Sequence, residues 1–155
     1  MSELESVGDG YRISTDKSLL DLAAIHRYLS ESSYWAEGRS LAAVETSIEH
    51  SLCFGAYRGE SLVGFARVVT DHATFAWICD VFVLEAHRGR GIGKRLIESV
   101  MEHPVLKGLR LSLLATRDAH MLYQRYGGFK PLEHPDRWME KRVARSQLAD
   151  QAEGS

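Results

Sequence analysis

The chain has 155 residues, of which 45% are hydrophobic and 26% are charged, a composition typical of a soluble globular domain. Its formal net charge of −2 argues against a general nucleic-acid-binding protein, because such proteins carry a strong basic excess. We find no secretion signal, no apolar run of about 18 residues and no zinc-like Cys/His spacing, so we expect a cytoplasmic protein with neither a membrane segment nor a metal site.

The first third of the chain predicts one strand followed by two helices. Residues 11–15 alternate between apolar and polar side chains, as a half-buried strand does. Asp16 or Ser18 is a suitable N-cap for an amphipathic helix that extends to Leu29. Ser40 is the N-cap of a second predicted helix, because apolar residues recur at helical spacing after it.

The middle of the chain predicts three strands and a helix. Residues 52–58 and 62–69 are apolar runs joined through a short turn with a glycine, a pattern typical of a β-hairpin. Residues 74–84 are β-branched, aromatic and apolar on both faces, which favours a central strand. After a glycine-rich turn, helical spacing of apolar residues predicts a helix that ends near His103, where Pro104 stops it.

The last part of the chain predicts a strand, a short helix and one or two closing strands, at residues 109–115, 118–128 and 129–141 respectively. We therefore expect a single domain over residues 1–141 and a polar, flexible C-terminal tail over residues 142–155. The order of elements predicts a mixed α/β fold whose sheet is antiparallel first and parallel around the glycine-rich turn.

The glycine-rich turn, "HRGRGIGK" at residues 87–94, combines flexible backbone with positive charge at a helix start. Unpaired N–H groups and the helix dipole favour an anion there, and glycine lets a phosphate approach closely. The spacing differs both from a Walker loop and from a dinucleotide-binding fingerprint. The turn therefore predicts a phosphate cradle of another kind, with four cations near it: Arg88, Arg90, Lys94 and Arg95.

Two motifs resemble the GCN5-related N-acetyltransferase (GNAT) superfamily. Arg88-x-x-Gly91-x-Gly93 is similar to that family's acetyl-CoA motif, Gln/Arg-x-x-Gly-x-Gly/Ala. The segment "TRDAHMLYQRYGGFKPL" is similar to the family's Asn-x-x-Ala-x-x-Leu-Tyr-x-x-x-Gly-Phe segment, with two departures. Thr116 stands at the usual asparagine, and one extra glycine precedes the phenylalanine. The matching positions in this segment are Ala119, Leu122, Tyr123 and Phe129.

The resemblance implies a GNAT-like mixed sheet of six to seven strands with about four helices. Its parallel central pair, residues 74–84 and 109–115, is expected to splay apart and admit the pantetheine arm of acetyl-CoA as an added strand. The implied cofactor-binding residues are Val81, Phe82, Val83, Arg88, Gly89, Arg90, Gly91, Ile92, Gly93, Lys94, Thr116 and Tyr123.

The implied activity is acetyl transfer from coenzyme A to a primary amine, on a small molecule more than on a protein, in a possible homodimer. A non-catalytic acyl-CoA-binding regulatory module is the alternative. Such a module needs the cradle but neither of the two predicted catalytic residues, Asp80 and Tyr123, so their presence favours the enzyme.

Tyr123 and Asp80 are the predicted catalytic residues. By the resemblance, Tyr123 protonates or stabilises the leaving thiolate. Asp80 is the lone charge in a long apolar strand, where a carboxylate is costly unless it is used or paired, and we predict that it is the general base. The alternative is an ion pair with an arginine such as Arg67, and Glu45 and Glu85 are weaker candidates for the base.

The segment between the first two helices, "SSYWAEGRS", is the predicted acceptor site, because acceptors in this family usually meet that segment. It offers an aromatic wall, a carboxylate for an amine and a cation for an acceptor carboxylate, on Tyr34, Trp35, Glu37 and Arg39. In the alternative interpretation Trp35 packs on the core while Glu37 and Arg39 form a surface pair.

Overall fold

A computed structural model describes residues 5–8 and 10–147 of the chain. Its centre is a mixed six-stranded sheet whose strands follow one another in sequence order, antiparallel from β1 to β5 and parallel between β5 and β6. The strands are β1 (Glu5–Gly8), β2 (Tyr11–Ser14), β3 (Leu52–Arg58), β4 (Ser61–Thr70), β5 (Phe75–Val83) and β6 (Leu111–Leu114).

Six helices of α or π type pack around this sheet. They are α1 (Leu22–Arg27), a π-helical turn (Tyr28–Ser32) that continues it, α2 (Leu41–Glu49), α3 (Ile92–Glu102), α4 (Pro104–Lys107) and α5 (His120–Gly127). Side-chain caps explain where two of them begin: Asp21 accepts from the N–H of Ala24, and Ser40 accepts from the N–H of Ala43. No helix in the described part of the chain is long and apolar enough to cross a membrane.

The core lies on both faces of the sheet, and β5 contributes to each. On one face, Ile78 packs in a cluster with Leu96 of α3. On the other face, Phe82 packs in a cluster with Leu29 and Val44, from the α1–α2 side. Strand β5 therefore contributes to both cores, although Trp77 on this strand is 37% exposed.

The mixed α/β sheet with its parallel central pair is confirmed, and four details of the prediction are corrected. Five of the predicted strands form, and the sixth strand of the sheet, Glu5–Gly8, was not predicted. The closing strands are absent: residues 129–141 contain only a 3₁₀ turn at Pro135–Arg137, where proline interrupts strand pairing. The described part of the chain has six helices rather than about four. The N-cap of α1 is Asp21 rather than Asp16 or Ser18. Helix α3 ends at Glu102, as predicted, and Pro104 is the first residue of α4.

Candidate active site

A β-bulge interrupts the pairing of β4 and β5 at the middle of the sheet. One residue of β4, Ala66, lies opposite two residues of β5, Asp80 and Val81, because the register shifts between Phe65 and Arg67. Asp80 has φ of +50°, in the left-handed region that residues other than glycine rarely adopt. A bulge bends its strand and increases the local twist, so β5 changes direction at this point.

Strands β5 and β6 separate just before this bulge. Their parallel pairing starts where Phe75 lies opposite Leu111 and ends where Ile78 lies opposite Leu114. Among the described strands, none pairs with the β6-side edge of β5 over residues 79–83. This edge, which no described strand pairs, borders a slot of the kind that can receive an extended chain of amides as an added strand.

The Asp80 carboxylate lies beside this slot and accepts hydrogen bonds from three donors. Trp35 Nε1 donates to Oδ1 at 2.8 Å, and both Arg39 Nη1 at 2.7 Å and Arg67 Nε at 2.8 Å donate to Oδ2. The Asp80 side chain is only 1% exposed, and Arg67 is itself anchored by a hydrogen bond to Ser51 Oγ at 3.1 Å. These contacts stabilise the strained backbone of the bulge and fix the loop that carries Trp35 and Arg39.

This geometry argues against Asp80 as the general base. Burial raises the pKa of its carboxyl, but the guanidinium charges of Arg67 and Arg39 outweigh burial, and the pKa lies below its ordinary value of 3.8. A carboxylate with a lowered pKa is a weak base, and both oxygens already accept hydrogen bonds. The sequence left open the alternative that Asp80 forms an ion pair with an arginine such as Arg67, and that ion pair is present. Glu45 and Glu85, the weaker candidates, are exposed and do not line the cavity described next.

A cavity of about 530 Å³ opens beside the free edge of β5. Its walls come from β5, from the loop between the π-helical turn and α2, from residues 115–119 and from α5. Cys79 and Asp80, at the start of the bulge, both line it. Burial raises the pKa of the Cys79 thiol to about 12, which leaves it protonated and a poor nucleophile.

Tyr123 lines the same cavity from α5 and is 8% exposed. Burial raises the pKa of its phenol to about 12, so the hydroxyl keeps its proton at neutral pH and is a hydrogen-bond donor. Its ring packs edge-on against Phe129 at a centroid distance of 6.0 Å. The structure therefore places this predicted catalytic residue next to the slot between β5 and β6.

The glycine-rich turn leads into α3 with its backbone open to solvent. Gly91 is the N-cap with φ of +80°, and no side chain caps the first turn. A Cβ added at Gly89 or Gly91 would meet no atom of the described chain within 4 Å, so space for a ligand adjoins both. The first turn carries no acidic side chain, and Lys94 is exposed beside it. These N–H groups and this charge fit the pyrophosphate of coenzyme A.

Two side chains of the predicted cradle point elsewhere. Arg88 Nε donates to the carbonyl of Val83 at 2.9 Å and Arg88 Nη2 donates to Tyr28 Oη at 2.9 Å, so its guanidinium ties the turn to β5. Ile92 is 1% exposed, and its side chain belongs to the core. Ile92 can therefore meet a phosphate only through its main chain, whereas Arg88 and Arg90 are both exposed at the turn.

The two departures from the family motif have local explanations. Thr116 lines the cavity, and its hydroxyl accepts from the N–H of Ala119 at 3.1 Å, just before α5. Gly127 ends α5 where a Cβ would meet the Phe129 ring at 2.9 Å, and Gly128 follows with φ of +73° as a left-handed C-cap. One glycine therefore makes room for the phenylalanine and the other terminates the helix.

The predicted acceptor loop borders the cavity, but its charges pair differently from either prediction. Tyr34 Oη accepts from the N–H of Arg117 at 3.0 Å, and Tyr34 packs edge-on against Trp35. Arg39 binds Asp80, as described above. Glu37 is exposed and lies 3.6 Å from Arg145 Nη1, so Glu37 and Arg39 do not form the surface pair that was the alternative.

Residues 142–147, the described part of the predicted flexible tail, approach this loop. Arg145 Nη2 donates to the carbonyl of Tyr34 at 3.1 Å, and Arg142 also lines the cavity. The beginning of the tail thus contributes to the wall of the site. Residues 148–155, the rest of that tail, lie outside the described residues.

Residues 22–129 of the chain match the Acetyltransferase (GNAT) family. The chain belongs to the GNAT acetyltransferase family. The Gibberella zeae protein named "Putative acetyltransferase FG08082" is 32% identical in an alignment 142 positions long, which covers 77% of this GNAT chain and 79% of that protein. A crystal structure of a protein from Xanthomonas campestris pv. campestris, assigned to the GNAT family, is 53% identical with a TM-score of 0.83. The match covers 86% of this chain and 93% of that one.

A structure from Deinococcus radiodurans R1 shares the fold, with a TM-score of 0.68 at 19% identity, over 92% of this GNAT chain and 93% of that chain.

Sequence reasoning missed three residues of the site of this GNAT protein: Arg117, Arg142 and Arg145. Arg117 stands at a variable position of the second family motif, and Arg142 and Arg145 stand in a polar stretch without periodicity or motif. Only the fold brings them to the same cavity.

Proposed function

We propose that this GNAT protein is an acetyl-CoA-dependent N-acetyltransferase that acetylates a primary amine of a small molecule. The observation that carries the proposal is the free main-chain edge of β5, which runs from the glycine-rich turn to the cavity that Tyr123 lines. Three features therefore follow one another along this edge of β5: a cradle for a pyrophosphate, a slot for an amide chain and a protonated phenol.

In this proposal the cradle is the main chain of residues 88–94, with Arg90 and Lys94 adding charge, and the slot is the edge of residues 81–83. Acetyl-CoA supplies an acyl carbon whose bond to sulfur breaks as its bond to the amine nitrogen forms. A main-chain N–H of the slot is placed to donate to the acyl oxygen as negative charge develops on it. Tyr123 is placed to donate its hydroxyl hydrogen bond to the departing sulfur, and its raised pKa keeps that donor intact at neutral pH.

The acceptor amine must lose a proton before it can attack, and we propose that the arginines around the cavity assist this step. Nearby positive charges destabilise the protonated form of an amine and so lower the pKa of the bound amine. The proton then passes to solvent, since the buried carboxylate of Asp80 is occupied by Arg39 and Arg67. We assign Asp80 a positioning role: it holds Trp35 and Arg39 against the slot.

Two measurements test the proposed function. Titration calorimetry is expected to show one acetyl-CoA bound per chain, and a thiol-release assay with a panel of primary amines is expected to show coenzyme A formation that depends on the amine. A chain that binds acetyl-CoA but releases no thiol with any amine would instead be the non-catalytic acyl-CoA-binding module. A chain that binds no acetyl-CoA would contradict both functions.

A further inference from the structure

We propose that the acceptor of this enzyme carries an anionic group, a carboxylate or a phosphate, in addition to its amine, and that Arg117 binds that group. This inference rests on the proposed function, because it names the class of the amine that enters the same cavity. It assigns a substrate-binding role to a residue at a variable position of the second family motif, outside the predicted acceptor loop.

The first argument is the balance of charge around the cavity. Among the described residues that line it, five are arginines and two are aspartates: Arg39, Arg67, Arg117, Arg142, Arg145, Asp80 and Asp118. Asp80 is paired with Arg39 and Arg67, and Asp118 is exposed. Arg142 and Arg145 form ion pairs with Glu140 at 2.8 Å and Glu37 at 3.6 Å, so Arg117 is the lining arginine for which no ion pair is found among the described residues. An acceptor with several positive charges is repelled by such a lining, whereas an anionic group is attracted to it.

The second argument is the state of Arg117. Its guanidinium lies over the Tyr34 ring, with its central carbon 3.8 Å from the ring centroid. No hydrogen bond or ion pair of this guanidinium is found among the described residues, so the donors on its edge are not committed to the protein. A guanidinium stacked on an aromatic ring is held in one orientation with its N–H groups pointing outward, which suits a carboxylate or phosphate.

The third argument is that Arg117 is anchored at the edge of the site. Its main-chain N–H donates to Tyr34 Oη at 3.0 Å, and the carbonyl of Tyr34 accepts from Arg145 at 3.1 Å. Tyr34 therefore joins two arginines on one wall. Arg39, which the sequence suggested for an acceptor carboxylate, is bound to Asp80 instead. We therefore assign the anion site to Arg117 rather than to the acceptor loop.

The binding test uses inorganic phosphate and acetate as separate probes, titrated into the protein and followed by NMR at the arginine side-chain Nε–H groups. We expect a saturable shift at Arg117 with at least one probe, and the stronger probe distinguishes a phosphate-bearing from a carboxylate-bearing acceptor. In Arg117→Gln, the same titration is followed at the remaining arginines of the cavity, and the Kd of the probe is expected to rise about fivefold or more. Arg110→Gln, which removes an exposed arginine outside the cavity, is the matched control and is expected to leave binding unchanged.

The turnover test compares matched amines that differ in one group, namely amino acids against their carboxamides and phosphorylated amino alcohols against the free alcohols. The anionic member of a pair is expected to have a kcat/KM about tenfold higher or more, and Arg117→Gln is expected to abolish that preference without changing the Kd of acetyl-CoA. Absence of a saturable shift at Arg117 with either probe, or equal or better use of the neutral members, overturns the inference. Failure of acetyl-CoA to bind overturns the proposed function instead, and the NMR titration does not depend on it.

Discussion

Asp80 combines a strained backbone with a side chain that accepts three hydrogen bonds. Its φ of +50° costs energy for a residue with a Cβ, and the bulge persists because the contacts of the carboxylate offset that cost. Two of the donors are arginines whose charges are themselves largely buried. Removing the negative charge therefore leaves two guanidinium groups without compensation.

We predict that Asp80→Asn lowers the free energy of unfolding at pH 7 by about 3 kcal/mol, the lower end for a broken buried ion pair because Arg39 is a quarter exposed. The pKa of Asp80 is lowered in the folded protein, so this stability is present above the ordinary value of 3.8 and is lost as the pH falls through the folded value. Urea denaturation at pH 7 and at several values below pH 4 measures the difference between wild type and variant, which is expected to shrink on acidification.

The matched control for this prediction is Asp118→Asn, which removes an exposed carboxylate from the same cavity. Its effect is expected to stay within about 0.5 kcal/mol, as for surface substitutions in general. Equal stability of Asp80→Asn and wild type at pH 7 would show that the two arginines do not depend on Asp80.

Tyr123→Phe is predicted to lower kcat by about tenfold to a thousandfold, the range expected for one positioned proton donor. The Kd of acetyl-CoA is expected to stay the same, since the ring and its packing against Phe129 remain. Because burial raises the pKa of this phenol to about 12, Tyr123 should cause no alkaline loss of activity below about pH 10. Steady-state kinetics across pH and calorimetry measure the two effects.

Tyr126→Phe is the control on the same helix, because it keeps the ring that faces the Lys94 ammonium at 5.1 Å and removes only the hydroxyl. It is expected to leave kcat within about twofold of wild type. If Tyr123→Phe has the same kcat as wild type while chemistry is rate-limiting, the phenol does not assist the leaving group.

At the scale of the element, the start of α3 is a helix N-terminus that no side chain caps. Its left-handed N-cap glycine leaves the N–H groups of the first turn open and keeps a Cβ away from them. A ligand, and not the protein, is therefore the expected partner of these groups. Such an arrangement loses some helix stability in exchange for anion binding.

We predict that Gly91→Ala weakens acetyl-CoA binding by about tenfold or more, because the added methyl group enters the space that a phosphate oxygen needs. The left-handed φ also makes the variant less stable by about 1–2 kcal/mol. Calorimetry of acetyl-CoA binding measures the first effect, and denaturation measures the second.

Gly59→Ala provides the matched control in the turn between β3 and β4. Gly59 has φ of +60°, and an added Cβ there also meets no atom within 4 Å. The control is thus expected to lose similar stability and to bind acetyl-CoA as wild type does. Equal affinities in the two variants would place the pyrophosphate away from Gly91.

At the scale of the whole molecule, the site lies where both cores of the sheet meet the gap between β5 and β6. Residue 82 of β5 packs on the α1–α2 side, and residue 78 packs on the α3 side. A ligand in the gap supplies partners for main-chain groups that no described strand satisfies. Binding is therefore linked to the folding of the domain.

We predict that acetyl-CoA at 100 times its Kd raises the free energy of unfolding by about 2.7 kcal/mol, which corresponds to about 5–10 °C in Tm for a chain of this size. Thermal unfolding with and without acetyl-CoA measures the shift. At the same concentration of acetyl-CoA, Gly91→Ala is expected to show a clearly smaller shift than Gly59→Ala. A Tm that does not change with acetyl-CoA would contradict the binding site.

The sequence by itself determined the features that depend on neighbours a few residues apart. The cap at Ser40, the hairpin of β3 and β4 and the turn before α3 each have a local signal in residue type and spacing. The two family motifs are local as well, and they were sufficient to predict the family.

The tertiary structure alone decided the partners of Asp80 and the set of charged residues that line the cavity. An alternating strand pattern predicts no bulge, because the extra residue is visible only against the register of the partner strand. The partners of Asp80 lie 13, 41 and 45 residues away in the chain, and Arg117 meets Tyr34 across 83 residues. A single sequence contains no local signal for which distant residue a charged side chain will pair with. Pairing across such separations is therefore established only when the chain folds.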